Sequence, residues 1–410
     1  MNSCPLPCSA PLIMHIDLNS CFASCEQQAR VMLRGRPVAI SNRTGKNSAI
    51  ITASYEAKKL GVKVGMRRLE ALVICPELIF IEAEPSKYKF VYHRLMGIMK
   101  DYSAHVVMKS IDEGVIDFGR SPVETRRRGL ENIGREIKGR LRAEIGCYMR
   151  CNVGISTNRF LAKTAAGLNK PDGLDVITGE NVREVFGRLK LKELTGVAGA
   201  TAKRLNAVGI YTPLQFLDAS EETLRKVVFR SVCGTQWYQR LRGVEVDDYE
   251  SDIKTVGRQY VLESRGLTRE QIERRLFRLS EEVGGKLRMK KRWARGVYVY
   301  AKTYDGSLWH RRKMTELPFY SDQAIYSMAR GLFWTAPDGI REIGVTCYGV
   351  QEPEDEQMSL FGDMLAREKK IVEVVDEVNG RFGARMIHSA ETLMTDKIKT
   401  KIPFGSTRYL

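Results

Sequence analysis

The 410-residue chain has no run of about 18 apolar residues, so no segment reads as a helix that crosses a bilayer. Its first stretch, Met1 to Pro11, has neither a basic leader nor an apolar core. That excludes a secretory signal and predicts a loose extension over residues 1–10. The nine cysteines are odd in number and include no C-x2-C pair. Cys4/Cys8, Cys21/Cys25 and Cys147/Cys151 repeat a C-x3-C spacing, but no histidine cluster completes the four close ligands of structural zinc. Scattered cysteines without a signal are expected to be reduced thiols in a cytoplasm. Acidic residues are scarce relative to basic ones: 49 Asp+Glu against 66 Lys+Arg leave a formal charge of +17. An anionic partner follows, and nucleic acid comes first, because no basic amphipathic helix with a bulky apolar face suggests a membrane surface.

What is present is a globular composition, 43% hydrophobic, long enough for two to four domains. The chain is organised around Ser110-Ile111-Asp112-Glu113, two adjacent carboxylates between the apolar runs His105–Met108 and Gly114–Phe118. Both runs read as strands of a hairpin, although the break lacks an Asn-Gly or Asp-Gly turn. On a regular strand, neighbouring side chains point to opposite faces, so the two acids converge only where the chain bends. An acidic pair at a turn is otherwise simply solvated.

Leu12–Asp17 reads as a buried strand ending on a carboxylate, followed by a helix from Ser20; Asp17 is either a helix cap or a metal ligand. Strands at Arg36–Ser41 and Ala49–Ala53 and helices from Tyr55 and Arg67 make a small basic α/β region. A helix over Ser86–Tyr102 leads to the hairpin, a basic amphipathic helix is predicted over Val123–Gly146, and the strand Asn152–Ser156 feeds a helix over Thr157–Leu168 that ends at Asn169-Lys170-Pro171-Asp172-Gly173. Residues 181–243 read as all-helical and contain Gly196-Val197-Ala198-Gly199. Two helices joined by such a turn expose backbone N–H groups to a phosphate, like the helix-hairpin-helix that grips DNA backbones; an ordinary tight turn is the alternative. After an acidic linker, Thr255–Gln351 alternates strands (256–262, 295–303, 307–314, 340–349) and helices (269–287, 322–334). Its basic run, with Arg288, Lys290, Lys291 and Arg292, is expected to meet phosphate rather than remain a solvated face. The acidic tether Glu352–Glu356 ends in Gln357-Met358-Ser359-Leu360-Phe361, apolar side chains that want a receptor, before a last amphipathic helix near 365–382.

Five stretches recur in one order: Ile16–Glu26, Thr52–Val62, Ser110–Glu113, Val153–Ser156 and Leu161-Ala162-Lys163. Together, over about residues 12–361, they resemble the Y-family translesion DNA polymerases of the bacterial polymerase IV or polymerase V catalytic-subunit type. The resemblance implies an α+β multidomain right hand: palm (11–28 and 85–176), small fingers (29–84), helical thumb with a helix-hairpin-helix (177–244), linker (245–254), little finger (255–352) and tail (353–410). It implies low-fidelity, template-directed DNA synthesis in damage tolerance, with two Mg²⁺ ions stabilising the attacking and leaving oxygens of an in-line displacement. Asp17 and Asp112 would bridge both ions, Glu113 would hold the one serving the primer 3′-hydroxyl, and the Leu18 carbonyl would complete the nucleotide side. Phe22 falls at the sugar gate, though a core aromatic is the plain alternative. Thr52, Tyr55, Lys58 and Lys163 would meet the triphosphate; Lys58 departs from the usual Arg and lacks its bidentate fork. Asn19 stands where many relatives carry a second aspartate and leans toward the polymerase V type; it receives no ligand role. Gln357, Met358, Leu360 and Phe361 resemble the peptide that binds the sliding clamp, the beta subunit. The expected partners are primer-template DNA, deoxynucleoside triphosphates, that clamp and accessory damage-response subunits, with the enzyme itself a monomer. A catalytically silent DNA- and clamp-binding relative and a nucleotidyl cyclase on a similar palm are the competing expectations.

Overall fold

A computed structural model describes residues 10–43, 45, 48–248, 252–353, 362–393 and 395. Two units divide the chain, the first holding the described residues through 248 and the second those from 252 onward.

The first unit begins with β1 (Ile13–Leu18) and α1 (Cys21–Ala29). Next come β2 (Val38–Ser41), β3 (Ile50–Ala53), α2 (Tyr55–Lys59), α3 (Arg68–Ile74) and β4 (Ile79–Glu82), which close a separate sheet in the order β3-β2-β4. The chain then returns through α4 (Pro85–Lys100), β5 (Val106–Met108), β6 (Glu113–Asp117), α5 (Val123–Arg127), α6 (Leu130–Glu144), β7 (Cys151–Ser156), α7 (Arg159–Leu168) and β8 (Leu174–Val176). The main sheet runs β5-β6-β1-β7-β8; β1 lies antiparallel between β6 and β7, and β8 joins β7 in parallel. The small sheet is thus an insertion between the first strand of the main sheet and its remaining strands.

Alternation along β1 sorts its two faces. Met14, Ile16 and Leu18 enter a core with Leu95, Ile98 and Met99 of α4 and Ile133, Ile137 and Leu141 of α6. His15 and Asp17 face the other way. There α7 lies against the sheet at Gly154, where an added Cβ would meet the Ala162 carbonyl at 2.0 Å and the Ala166 nitrogen at 2.2 Å. No side chain fits at Gly154, so only glycine lets the helix backbone approach there. The single helix expected over 123–146 is two helices, because Gly129 adopts φ +79° and ends the first turns before α6 begins.

The chain continues as α8 (Val182–Arg188), α9 (Gly199–Asn206), α10 (Pro213–Asp218) and α11 (Cys233–Leu241), around a core of Phe186, Leu205, Phe216 and Trp237 to which α7 contributes Phe160 and Leu161. In the second unit, β9 (Thr255–Val261), α12 (Arg269–Met289), β10 (Ala294–Thr303), β11 (Leu308–Phe319), α13 (Asp322–Phe333) and β12 (Ile340–Tyr348) form an antiparallel sheet ordered β11-β10-β12-β9. Val297, Val299 and Ala301 are buried on the face covered by α12 and α13, whose Phe277 and Tyr326 rings stack at 4.0 Å. Strand β11 runs past the expected end at Met314 and through Pro318. It is an edge strand, and Pro318 lies in the irregular stretch between the Ala294–Phe319 and Gly296–Met314 pairs, where a proline costs the ladder little. The last helix, α14 (Gly362–Phe382), is tied to α12 by ion pairs from Arg288 to Asp376.

Candidate active site

Register decides which acids meet. Asp17 on β1 pairs directly with Glu113 on β6, so their side chains share one face. His15, two residues earlier, shares that face. Ligating atoms of His15, Asp17 and Glu113 all lie within 4.8 Å of one another. Asp112 precedes the strand, in the turn, and this frees it from alternation: its carbonyl accepts from the Leu18 N–H at 2.8 Å, while its carboxylate accepts from the Ser110 hydroxyl. Burial raises the Asp112 pKa, and the charges of Asp17 and Glu113 push the same way. Asp17 and Glu113 therefore face one another at the end of β1, and Asp112 stands in the adjoining turn, close enough to feel the charge of both.

Two lysines answer that charge. Lys163 on α7 donates to both Glu113 oxygens, at 2.8 and 2.7 Å, and Lys170 reaches Asp17 at 2.7 Å. His15 Nε2 lies 3.1 Å from Glu113 Oε2, the oxygen that Lys163 meets at 2.7 Å. Burial alone would raise the Glu113 pKa, but the His15 hydrogen bond and the Lys163 charge outweigh it and hold the carboxyl down at about 2. The buried His15 Nδ1 has no hydrogen-bond partner among the described residues.

Above Asp17 stands a second set of side chains. Ser20, at φ 46°, turns the chain from β1 into α1, and its hydroxyl accepts from Lys58 Nζ at 2.7 Å. Lys58 also lies 4.8 Å over the Tyr55 ring. The Lys58 pKa is lowered by burial and by nearby Lys170, with Asp17 opposing; Tyr55 is raised by burial and by Asp17. Asp17, Ser20, Tyr55, Lys58 and Lys170 are thus one electrostatic neighbourhood. Thr52 is half-buried on β3, just before the turn into α2. Phe22 is buried and stacks on Tyr88. Lys163 lies on Glu113 rather than beside Tyr55 and Lys58.

Asn19 has a structural assignment. Its Oδ1 accepts from the Asp172 N–H at 2.7 Å and its Nδ2 donates to Asn152 Oδ1 at 2.9 Å, while Asn152 in turn holds the Asn169 carbonyl. Asn19 thereby anchors the loop that carries Lys170.

Beyond the carboxylates, a cleft of about 340 Å³ is lined by His15, Lys109, Arg159, Lys163, Gly196 and Trp237, among others. Gly196, at φ +85°, packs over Trp237, and Gly199 opens α9, whose N-terminus has no side-chain cap. A single 3₁₀ turn over Leu191–Glu193 precedes this Gly-x-x-Gly bend, in place of the full helix expected there. In the second unit, Arg288 is spent internally, its guanidinium held by Asp322 and Asp376. Arg292 pairs with Glu352 at 2.7 Å, and Lys290 and Lys291 follow the end of α12. Edge strand β11 exposes His310, Arg311, Arg312 and Lys313, a basic row that the sequence reading passed over. Gln357, Met358, Leu360 and Phe361 lie outside the described residues.

Residues 16–167 match the model of the impB/mucB/samB family, and residues 253–360 match that family's C-terminal domain. A DNA polymerase IV of Moorella thermoacetica is 33% identical over 398 residues, 93% of this chain and 96% of the relative. The chain belongs to the Y-family of DNA polymerases. DNA polymerase IV 1 of Bacillus subtilis is 28% identical over 407 residues, 97% of this chain and 96% of that one. Among solved structures, a Y-family chimera of Dbh and Dpo4 superposes with a TM-score of 0.71 and an insertion ternary complex of Dbh DNA polymerase with 0.59. Both are 24% identical, cover 83% of this chain and 100% of their own, and share the Y-family right-hand fold. Asn19 leaned toward the polymerase V type, whereas these bacterial relatives carry the polymerase IV name.

Asp17 and Glu113 side by side, with Asp112 in the adjoining turn, offer hard oxygen donors, which suits the divalent metal that Y-family nucleotidyl transfer needs. His15, with Nε2 against Glu113, stands with Asp17 and Glu113 in the one compact group of ligand atoms among the described residues. Sequence reasoning missed His15, Lys170 and Ser20. The period of two from Asp17 could have flagged His15. Lys170 was hidden in a segment read only as a helix stop, and Ser20 shows its role only through its backbone angle.

Proposed function

We propose that this Y-family enzyme extends a primer 3′ end by template-directed addition of deoxynucleotides and tolerates damaged templates. The observation that carries the reading is the Asp17–Glu113 register with Asp112 in the adjoining turn, which brings three acids into one electrostatic neighbourhood at the end of β1. Asp17, Asp112 and Glu113, with the Leu18 carbonyl, would hold two Mg²⁺ ions, which supply Lewis-acid stabilisation of the attacking and leaving oxygens. Tyr55, Lys58 and Lys170, with Thr52 alongside, orient the triphosphate beside Asp17. Lys163 holds Glu113 in place. Phe22 lies beneath the incoming sugar and rejects a 2′-hydroxyl.

The DNA backbone follows basic and backbone-donor surfaces: Gly196 and Gly199 in the first unit, and Lys290, Lys291, Arg292 and the β11 row in the second. The palm, fingers, thumb and little-finger boundaries given above belong to this proposal, as do a cytoplasmic site of action and a clamp tether at Gln357-Met358-Ser359-Leu360-Phe361. A tether raises the local concentration of a weakly held enzyme at the primer end.

Primer extension with Mg²⁺ tests the core of the reading. Wild-type protein should incorporate deoxynucleotides and Asp112→Ala should not; extension unchanged in the variant refutes the assignment. Leu360→Ala with Phe361→Ala should abolish pull-down by the sliding clamp, and retained binding moves the tether elsewhere.

A further inference from the structure

Phe22 sits four residues before Glu26 on α1, so the two share a helix face. Tyr88 of α4 spans that face. Its ring stacks on Phe22 with centroids 4.3 Å apart and planes 13° from parallel, and its hydroxyl donates to Glu26 Oε1 at 3.0 Å. The same hydroxyl accepts the Glu84 N–H at 3.3 Å. Glu26 is a fully buried carboxylate; its other oxygen meets Lys87 at 3.0 Å and Arg30 at 3.5 Å, and both cations also reach Glu84. Burying a carboxylate among a phenylalanine, a tyrosine and the core of α1 is costly, and two apolar rings would fill the same space without it.

The carboxylate supplies what apolar packing does not. Stacked rings slide past one another for little energy, whereas a hydrogen bond at the far end of Tyr88 fixes that ring along its long axis. We infer that Glu26 is a positioning residue for sugar selection: acting through Tyr88, it sets the position of the Phe22 ring. A gate that separates two sugars by one hydroxyl needs that position held to a fraction of an ångström, and four charged side chains anchor it away from the nucleotide. This inference depends on the reading of Phe22 as the gate.

The test compares kcat/KM for a deoxynucleotide and for the matching ribonucleotide, on one primer-template, in wild-type protein and in Phe22→Ala, Tyr88→Phe, Glu26→Gln and the Tyr88→Phe/Glu26→Gln double variant, with Tm measured for each. Phe22→Ala should collapse the preference. Tyr88→Phe should lower it about 3- to 10-fold, the worth of one hydrogen bond, and Glu26→Gln, whose amide oxygen still accepts from Tyr88 but which loses the charge held by Lys87 and Arg30, should lower it less. The double variant should do no worse than Tyr88→Phe alone, because Glu26 acts only through that hydroxyl. Loss of Tm with an unchanged preference in both single variants overturns the inference while leaving the gate intact. An unchanged preference in Phe22→Ala overturns the gate and the inference with it. Should Glu26→Gln fail to fold, Tyr88→Phe, which keeps the ring and loses only the hydroxyl, decides alone.

Discussion

Removing the Lys163 ammonium should weaken the metal-free protein before it affects nucleotide binding. At 2.7 Å, and with an effective dielectric of about 20, the Lys163–Glu113 attraction amounts to about 6 kcal/mol. Lys163 is 35% exposed and Glu113 16%, so desolvation and solvent screening cancel most of that. A net contribution of about 2 kcal/mol remains reasonable for a half-buried pair whose loss leaves Glu113 facing Asp17 and Asp112. Lys163→Met keeps the methylene packing on α7 and should lower the Tm of a unit this size by roughly 4–8 °C. Added Mg²⁺ should narrow the gap, because a cation that binds only the folded site stabilises by mass action and replaces the missing charge. In steady-state extension, kcat should fall with KM for the nucleotide little changed. A variant with unchanged Tm and a nucleotide KM raised about tenfold or more would refute this reasoning and return Lys163 to the triphosphate, as the family resemblance first implied.

Asp112→Asn and Glu113→Gln should both abolish extension yet move Tm in opposite directions. The first relieves the burial penalty and the repulsion that raise Asp112, and the second forfeits Lys163 and His15; shifts of one sign in both variants would contradict the electrostatics. Asn19→Ala removes the acceptor for the Asp172 N–H and should raise nucleotide KM by loosening the Lys170 loop, at a stability cost of about 1–3 kcal/mol in denaturant unfolding; an unchanged KM would separate Lys170 from the triphosphate. In the second unit, burial and then Arg258 hold the Lys286 pKa down at about 8, below the value near 10.4 of an unfolded chain. Between those values the unfolded chain binds more protons, so folding stability gains from this lysine as pH rises from about 8 to about 10 and carries the full penalty at pH 7. Lys286→Met should therefore be more stable than wild type at pH 7, and the difference should shrink toward pH 10; a constant difference would rule out the linkage.

The strand ending on Asp17 and the hairpin holding Asp112 and Glu113 were legible because apolar runs flank them on both sides. Their register was not. A slip of one residue between β1 and β6 would turn Asp17 and Glu113 to opposite faces while leaving the sequence pattern untouched. The α5/α6 break turned on the backbone angle of one glycine among many, and the length of β11 on its being an edge, which only the assembled sheet defines. Arg288 looked like part of a phosphate-binding run because the run was read alone; Asp376, 88 residues away, claims it.

Lys163 shows why partners are harder to read than motifs. Its position in Leu161-Ala162-Lys163 says that a cation stands near the site, but α7 can aim that cation only after it has docked. Gly154 sets the docking, since the helix backbone rests where a side chain would otherwise be, and it lies opposite His15 in the β1–β7 register. His15 is consequently sealed beneath the helix, 1% exposed, with one ring nitrogen turned to Glu113. Lys163 meets the same carboxylate from above. One glycine therefore fixes both groups that keep Glu113 ionised, and the ionisation of this acid is a property of helix-on-sheet packing as much as of the acid's own neighbours in sequence.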